Sequence, residues 1–425
     1  MTAGLTLPTL TVADPPVSGE GSLDPLGMAA LADRIADQLV PDVRARMSRV
    51  RFLTAMAVSS IVTDEVGDVL VIDGRATPSL VFEWLLLEGF VRKKIELPTG
   101  VPGITKARGV RSNGGRLGAG TYLKAPGVFG FNGVYKPLAT GIDLVTDDLM
   151  PEGRASDLVA AWEREQNLPG FLSGSSSSAG GKLRVRLASA VRAAVDARVC
   201  AEPDQSPVWN ELPHRLLPIG PGRDEARLLR EWLTDHPIRG ELARLIAPLE
   251  EGSDNELLPK VRDKASIDLR LPIDAALAYE AFTSHLEVAF RALLRRSTQL
   301  NSSPLTPAMA EELTSVREAA KVLPSLFTAA VDAVAPLGLH LDLERRLGAF
   351  AEPMTPTGLA DALLLHHNQI QGDKVPHGKR PWFEPHGAGV VVRGPYRVDA
   401  APERRPFVHP MRVWSLHQFL RDTAP

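Results

Sequence analysis

The sequence predicts a mainly α-helical protein with two halves, and two observations lead to this fold class. Apolar residues recur every three or four positions along several stretches, which is the period of one helix face. Runs rich in Pro and Gly separate these stretches. The chain has 425 residues, of which 44% are hydrophobic, so it is long enough for two or three domains with buried cores.

The N-terminal half is predicted to be a helical domain with a winged-helix-like part. Residues 1–22 are rich in Pro, Thr and Gly and predict a loose leader, and the domain follows over 23–172. Residues 144–151 place apolar pieces on both sides of Asp147 and Asp148, a pattern that predicts a small β-hairpin. Helices are predicted from Asp24 to Leu39, over about 43–62, from Pro78 to about 92–94, over 133–144 and over 155–166.

The C-terminal half is predicted to be a helical domain over 182–425. The Ser- and Gly-rich residues 173–181 predict a flexible linker and a domain boundary. A long helix is expected over about 273–297, and a second over about 307–334 with a break at Pro324. A short strand at 389–393 and a helix near 413–422 complete the half. The buried face of the first long helix is predicted to contain Leu277, Phe282, Leu286, Phe290 and Leu293.

The composition excludes several classes of protein. Cys200 is the single cysteine, so a disulfide framework and a Cys-rich zinc site are excluded, and we expect it to be buried. We expect neither a secretory signal nor a transmembrane helix, and therefore a cytoplasmic protein. Because no catalytic or phosphate-binding motif is present, we assign no catalytic residue, no cofactor and no metal site.

Positive charge is concentrated between residues 91 and 136. This segment has nine cations and one acid, whereas the whole chain has a net charge of −3. Glycines and the aromatic residues Tyr122, Phe129, Phe131 and Tyr135 are interleaved with the cations. Cations neutralise phosphates, glycines allow close approach, and rings stack on bases, so the segment predicts a nucleic-acid surface. A solvated basic face, or one that docks an acidic protein, would have the same composition. The predicted binding cations are Lys93, Lys94, Lys106, Arg108, Arg111, Arg116, Lys124 and Lys136.

The neighbouring residues suggest how DNA would be contacted. The predicted helix at 133–144, the hairpin and the next helix are similar to the recognition helix and wing of winged-helix domains. This similarity places Asn132, Tyr135 and Lys136 at the start of a helix that would enter a groove of duplex DNA. The acidic wing turn departs from that pattern, because Asp147 and Asp148 would be repelled by phosphate.

A second basic region is the tail, residues 374–421, with nine cations and three acids. The remaining residues therefore carry a net charge of −17, and this acidic part predicts a surface that meets protein. Six of the ten histidines lie in or near the tail, but their spacing matches no metal-ligand pattern.

Two stretches carry a resemblance to a group of proteins. They are residues 31–41 with 49–52 (LADRIADQLVP and RVRF) and residues 122–139 (YLKAPGVFGFNGVYKPLA). They resemble uncharacterised bacterial proteins encoded in anti-phage defence islands near helicases and modification enzymes. The resemblance implies a role in defence against foreign DNA and no particular activity.

Together these patterns lead to one leading hypothesis and two alternatives. The leading hypothesis is a non-enzymatic DNA-binding component of a bacterial anti-phage defence system. It would bind duplex DNA and associate with a larger helicase- or nuclease-type protein. One alternative is a scaffold subunit that binds an acidic protein, and the other is a nuclease whose site is assembled from distant residues.

Overall fold

The fold is mainly helical, as the sequence predicts. The computed structural model describes residues 24–67, 73–174, 176–301, 303–374 and 379–424, and the predicted leader lies outside them. The first helices are α1 (Ala29–Leu39), α2 (Phe52–Val66), α3 (Pro78–Arg92), α4 (Ile104–Ser112), α5 (Pro126–Phe129), α6 (Phe131–Gly141), α7 (Gly153–Glu165), α8 (Ala179–Ala197) and α9 (Val208–Arg215).

The remaining helices follow in the second part of the chain. Within the described ranges, strands β1 (Phe383–His386) and β2 (Gly389–Val392) form one antiparallel two-stranded sheet, which pairs Phe383 with Val392. The helices are α10 (Arg223–Thr234), α11 (Pro237–Ile246), α12 (Asp254–Arg262), α13 (Ile267–Gln299), α14 (Thr314–Val334), α15 (His340–Leu347), α16 (Pro356–Asp373) and α17 (Val413–Asp422).

The contacts divide the chain into two compact units. Over the described residues, unit 1 combines 24–32 with 277–409, and unit 2 combines 33–276 with 410–424. The predicted boundary at 173–181 does not coincide with this division, because these residues lie inside unit 2. Ser178 caps α8 by accepting a hydrogen bond from the Gly181 N–H at 3.1 Å. A Cβ on Gly180 would lie 2.0 Å from the Leu168 carbonyl oxygen, so this glycine allows close packing.

Two helices form the centre of unit 2. Nearly every residue of α2 and of α3 between Leu80 and Phe90 is buried. α2 packs against α3, α6, α7 and α8, whereas α3 packs against α4, α8 and α9. Such all-round burial explains why neither helix shows a narrow apolar stripe in the sequence.

The N-terminal helices confirm some predicted bounds and correct others. Both carboxylate oxygens of Asp24 accept hydrogen bonds from the N–H groups of Met28 and Ala29. The predicted helix at 43–62 begins only at Phe52. Tertiary partners bind the backbone before it: the Tyr135 hydroxyl accepts from the Ser48 N–H, and Asp422 accepts from the Val50 N–H. α3 begins at Pro78 as predicted, with Thr77 as its cap.

The predicted hairpin at 144–151 is reduced to one antiparallel bridge between Val145 and Pro151. The Thr146 N–H donates to the Met150 carbonyl at 2.9 Å, which closes a tight turn around Asp147 and Asp148. These residues form a turn with one bridge and no strand ladder, so they provide less β structure than a wing.

The helices of unit 1 follow the sequence prediction closely. Four of the five residues predicted to be buried in α13 are buried, and Leu277 is half-buried. α14 continues through Pro324, because its buried face is uninterrupted on both sides of that residue. The predicted strand is present as β2, and the predicted final helix, which belongs to unit 2, is present as α17.

One stretch, Thr314–Leu337, is long and apolar enough to cross a membrane by length and composition. This differs from the expectation of no such helix, but one such stretch is weak evidence of a membrane span. The helix is two-sided, since Val316, Leu323 and Phe327 are buried whereas Arg317 and Lys321 are exposed. Charged residues on the open side are typical of a helix that faces water.

Candidate nucleic-acid interface

The α4 helix, which the sequence did not predict, organises the basic segment. It follows Gly103, whose φ of 76° is a left-handed conformation. A Cβ there would lie 2.2 Å from the Tyr122 hydroxyl oxygen, so both the conformation and the space require glycine. Ile104 and Ala107 are the buried residues of α4, and the rest of the helix faces outward.

Five predicted binding cations lie on or beside α4. Lys106 and Arg108 are exposed and Arg111 is half-buried, whereas Lys93 and Lys94 are exposed just beyond the end of α3. None of the five forms an ion pair or a side-chain hydrogen bond with the residues that the structure describes. Their charges are therefore available to an external anion.

The side chains of α4 border two depressions in the surface. Lys94 and Arg108 line a small one of about 240 Å³, together with Phe90 and Leu97. On the other side of α4, Lys106 lines an open groove of about 600 Å³. The helix thus presents Arg108 to one depression and Lys106 to the other.

Phe129 lines the open groove and is 45% exposed. The Arg46 guanidinium lies 4.3 Å from the centre of the Phe129 ring and donates a 3.2 Å hydrogen bond to the Val128 carbonyl. The Arg46 cation therefore holds the ring in place, and nearly half of the residue remains exposed. An exposed ring beside cations is a platform on which a base can stack.

The other three predicted cations interact with other groups of the protein. Arg116 donates to the Glu202 carbonyl at 2.8 Å and lies 3.2 Å from Asp204. Lys136 forms an ion pair with Asp147 at 3.2 Å. Lys124 is exposed, but it also interacts with another group of the protein. These cations belong partly to the internal structure, which a count of charges does not reveal.

The prediction that Asn132 and Tyr135 face a nucleic-acid groove is wrong, because both are buried. Tyr135 is fully buried, and its hydroxyl accepts hydrogen bonds from the Ser48 and Arg49 N–H groups, both at 2.9 Å. The Asn132 amide donates to the Ser79 carbonyl at 2.9 Å. The start of α6 is therefore part of the core of unit 2, where the Tyr135 ring packs on Phe52.

A buried carboxylate on α3, which the sequence analysis did not single out, contacts the start of α6. Glu83 is fully buried and accepts hydrogen bonds from the Tyr122 hydroxyl and, at 3.0 Å, from the Asn132 N–H. Burial raises the pKa of Glu83 to about 7, although these hydrogen bonds favour its charged form. Glu83 also lines an open pocket with Lys136, Ser79 and Asn132. In the sequence, Glu83 is the one charged residue in the apolar stretch 80–87, and this position could have indicated a buried carboxylate.

The basic tail differs from the α4 region. Arg412 has 2% of its side chain exposed and forms ion pairs with Asp33 and Asp37. Arg421 pairs with Glu251 at 2.7 Å. Among the described residues, no group of three His, Cys, Asp or Glu side chains is arranged to hold a metal ion. His366 and His367 are buried and bond to the carbonyls of Leu26 and Pro25.

Cys200 is buried, as expected. Burial raises the pKa of its thiol well above the ordinary value, so this side chain is a poor nucleophile.

Comparisons with known proteins give no relative for this chain. No protein-family model matches it, and neither a curated protein nor a solved structure matches it significantly.

Proposed function

We propose that unit 2 binds nucleic acid along α4, with the sugar–phosphate backbone on the cations and an unpaired base on Phe129. The observation that carries this proposal is the exposed cation Lys106 in the same groove as the exposed Phe129 ring. Neither Lys106 nor the exposed cations Lys93, Lys94 and Arg108 form an ion pair with a described residue. Such cations bind phosphates without first breaking an internal ion pair.

The burial of Asn132 and Tyr135 argues for single-stranded rather than duplex DNA as the ligand. These residues were expected at the start of a helix that enters a duplex groove, but Tyr135 is fully buried and Asn132 is only 7% exposed, with its amide bonded to the Ser79 carbonyl. A ring beside a basic surface instead suits an unpaired strand, because stacking needs an unstacked base. The proposal therefore favours single-stranded DNA, or a locally opened duplex, over a closed duplex.

The wider role proposed is that of a non-enzymatic DNA-binding component in cytoplasmic anti-phage defence, acting with a larger helicase- or nuclease-type protein. This part rests on the resemblance of residues 31–41 with 49–52, and of residues 122–139, to proteins of defence islands. Binding of an unpaired strand fits such a role, because helicases and nucleases expose single strands.

The test compares two charge-matched variants. The first carries K93Q, K94Q, K106Q and R108Q, and the control carries K182Q, R186Q, K260Q and K264Q. The control residues are exposed cations elsewhere in unit 2, without ion pairs to described residues. Affinity for a labelled oligo(dT) and for a duplex of equal length is measured by fluorescence anisotropy over a series of salt concentrations.

The α4-region variant is expected to bind oligo(dT) much more weakly, with the log–log salt slope flattened by about 3, since each phosphate on a single strand contributes about 0.7. The control should retain both affinity and slope. Equal losses in the two variants would show that binding follows net charge alone, and an absence of binding at low salt would refute the proposal.

Phe129→Ala separates nucleic acid from an acidic protein partner. Loss of one stacked base is expected to cost about 2 kcal/mol of binding free energy for oligo(dT). Polyglutamate offers charge without bases, so its affinity should not depend on Phe129. If polyglutamate binds as tightly as oligo(dT), and neither depends on the ring, the acidic-partner alternative is the better explanation.

A further inference from the structure

Unit 1 contains a cleft that lies apart in sequence from the α4 region. One wall is a face of α13, formed by Ser284, Glu287, Val288 and Arg291. The other walls are residues 24–29, before and at the start of α1, and the irregular segment 398–409. The cleft has a volume of about 450 Å³, which is within the range of small-molecule sites. We refer to it as the α13 cleft.

The segment 398–409 is fastened to α13 at both ends. Near its start, the Val398 N–H donates to the Thr298 hydroxyl at 3.0 Å, and Arg295 donates to the Asp399 carbonyl at 3.2 Å. At its end, the N–H groups of Val408 and His409 donate to the Glu280 carboxylate. The segment is therefore held along the helix, and the cleft lies between these two attachments.

A histidine on this segment lines the cleft. The Nδ1 atom of His409 lies 2.6 Å from Glu280, whose side chain is fully buried. Because a carboxylate accepts hydrogen bonds, Nδ1 carries the proton in this pair. The His409 side chain is nine-tenths buried, and its other ring nitrogen, Nε2, has no hydrogen-bond partner among the described residues. A buried ring with one fixed and one unpartnered nitrogen is pre-oriented for a ligand.

Two of the carboxylates that line the cleft already have partners inside the protein. The oxygens of Asp24 accept the N–H groups of Met28 and Ala29, and Glu287 is paired with Arg291 at 2.5 Å. Arg405 is exposed and forms no ion pair with the described part of the chain. The donors left for a ligand are the Arg405 guanidinium and the N–H groups of Arg291 that Glu287 does not engage. The His409 Nε2 atom joins them when the ring carries its second proton, and Glu403 is an exposed acid in the same wall.

The rest of the wall is apolar, with Met28, Val288, Val398 and Val408 among its side chains. We propose that the α13 cleft binds a small organic anion, whose carboxylate or phosphate head lies between His409 and Arg405 and whose apolar body packs on these side chains. Glu280 acts as the positioning residue, because it fixes the ring of His409. This site is independent of the function proposed for unit 2.

The charge state of His409 gives the site a pH dependence. Burial acts to lower the pKa of His409, but the hydrogen bond and charge of Glu280 outweigh it, and the pKa is raised above its ordinary value. Asp24 and Glu287 act in the same direction. The ring therefore keeps its second proton to higher pH than a free histidine, and anion binding should weaken as the pH rises through this raised pKa.

The test uses the full chain and three probes of similar size: benzoate, phenyl phosphate and the cation benzamidine. Isothermal titration should show saturable binding of at least one anion with a Kd of about 1 mM or tighter, and no binding of benzamidine. The anion that binds more tightly identifies the head group. Absence of saturable anion binding, or preferential binding of benzamidine, would overturn the proposal.

Two variants locate the site. R405Q and H409Q should each weaken anion binding about tenfold or more, since each removes a charged donor. K321Q, an exposed cation on α14, is the control and should leave the affinity unchanged. Because Arg405 is exposed, R405Q is expected to fold even if H409Q does not. Undiminished anion binding by a folded R405Q would overturn the assignment of the head group.

Discussion

Helices α4 and α6 come from the same basic segment, yet they have opposite roles. α6 was expected to be the DNA-contacting helix, and its residues Asn132 and Tyr135 are buried in the core. α4 was not predicted as a helix, and it presents Lys106 and Arg108 to solvent without ion pairs to any residue that the structure describes. The difference teaches that the residue type suggests a ligand, whereas accessibility and existing partners decide whether the residue can bind it.

Four predictions test this contrast, and the largest effect is expected in α6. Tyr135→Ala removes a fully buried ring that packs on Phe52 and Phe419, so we expect a loss of about 4 kcal/mol in unfolding free energy. Guanidinium denaturation measures it. The milder Tyr135→Phe should fold and bind oligo(dT) like the parent chain. A tenfold loss of oligo(dT) affinity in folded Tyr135→Phe would instead indicate that α6 takes part in DNA binding.

The second prediction concerns Glu83, beside α6. Its pKa is about 7 in the folded protein and near 4.5 when unfolded, so the folded state holds the proton more tightly. Stability should therefore decrease as the pH rises from about 4.5 to about 7, by a total of about 3 kcal/mol from this group. Denaturation across this range checks it, and Glu83→Gln should remove this part of the slope. An identical slope in parent and variant would contradict it.

The third prediction tests the tight packing in front of α6. A Cβ on Gly130 would lie 2.2 Å from a Glu83 oxygen and 2.9 Å from the Pro126 carbonyl oxygen. Gly130→Ala should therefore lower the unfolding free energy by about 2 kcal/mol. Gly127→Ala is the matched control, because nothing lies within 4 Å of its Cβ. Equal stability of the two variants would show that Glu83 and its neighbours shift to accommodate the added methyl group at little cost.

The smallest effect is expected on the α4 side. The double variant K106Q/R108Q should change the unfolding free energy by no more than about 0.5 kcal/mol, because both side chains are exposed and make no ion pair with described residues. Thermal and denaturant unfolding measure this. A large destabilisation would mean that these cations support the fold, and the contrast with α6 would disappear.

The sequence predicted the fold where periodicity was wide and regular. α13 and α17 have broad buried faces, and their positions agree with the prediction. α4 was missed because only Ile104 and Ala107 are buried in it, which gives too narrow an apolar face. The start of α2 was misplaced because distant groups, Tyr135 and Asp422, bind the backbone that precedes it.

The candidate interface was predicted in part. The exposed cations of the basic segment were named from composition, and Phe129 was among four interleaved aromatic residues. The sequence did not show that Tyr122, Phe131 and Tyr135 are buried while Phe129 is exposed. Nor did it show that Arg116 and Lys136 have acidic partners, since Asp204 is 88 residues away from Arg116 and the pairing depends on tertiary structure.

The C-terminal helix α17 gives unit 2 a particular order of assembly. Arg49 pairs with Asp422 at 2.8 Å, although 373 residues separate them. During synthesis, residues 33–276 leave the ribosome well before the C-terminal segment that forms α17. Until α17 is synthesised, the apolar surface that it covers is exposed, so the nascent unit can bind chaperones or aggregate. Its last helix closes the structure only after unit 1 has been translated.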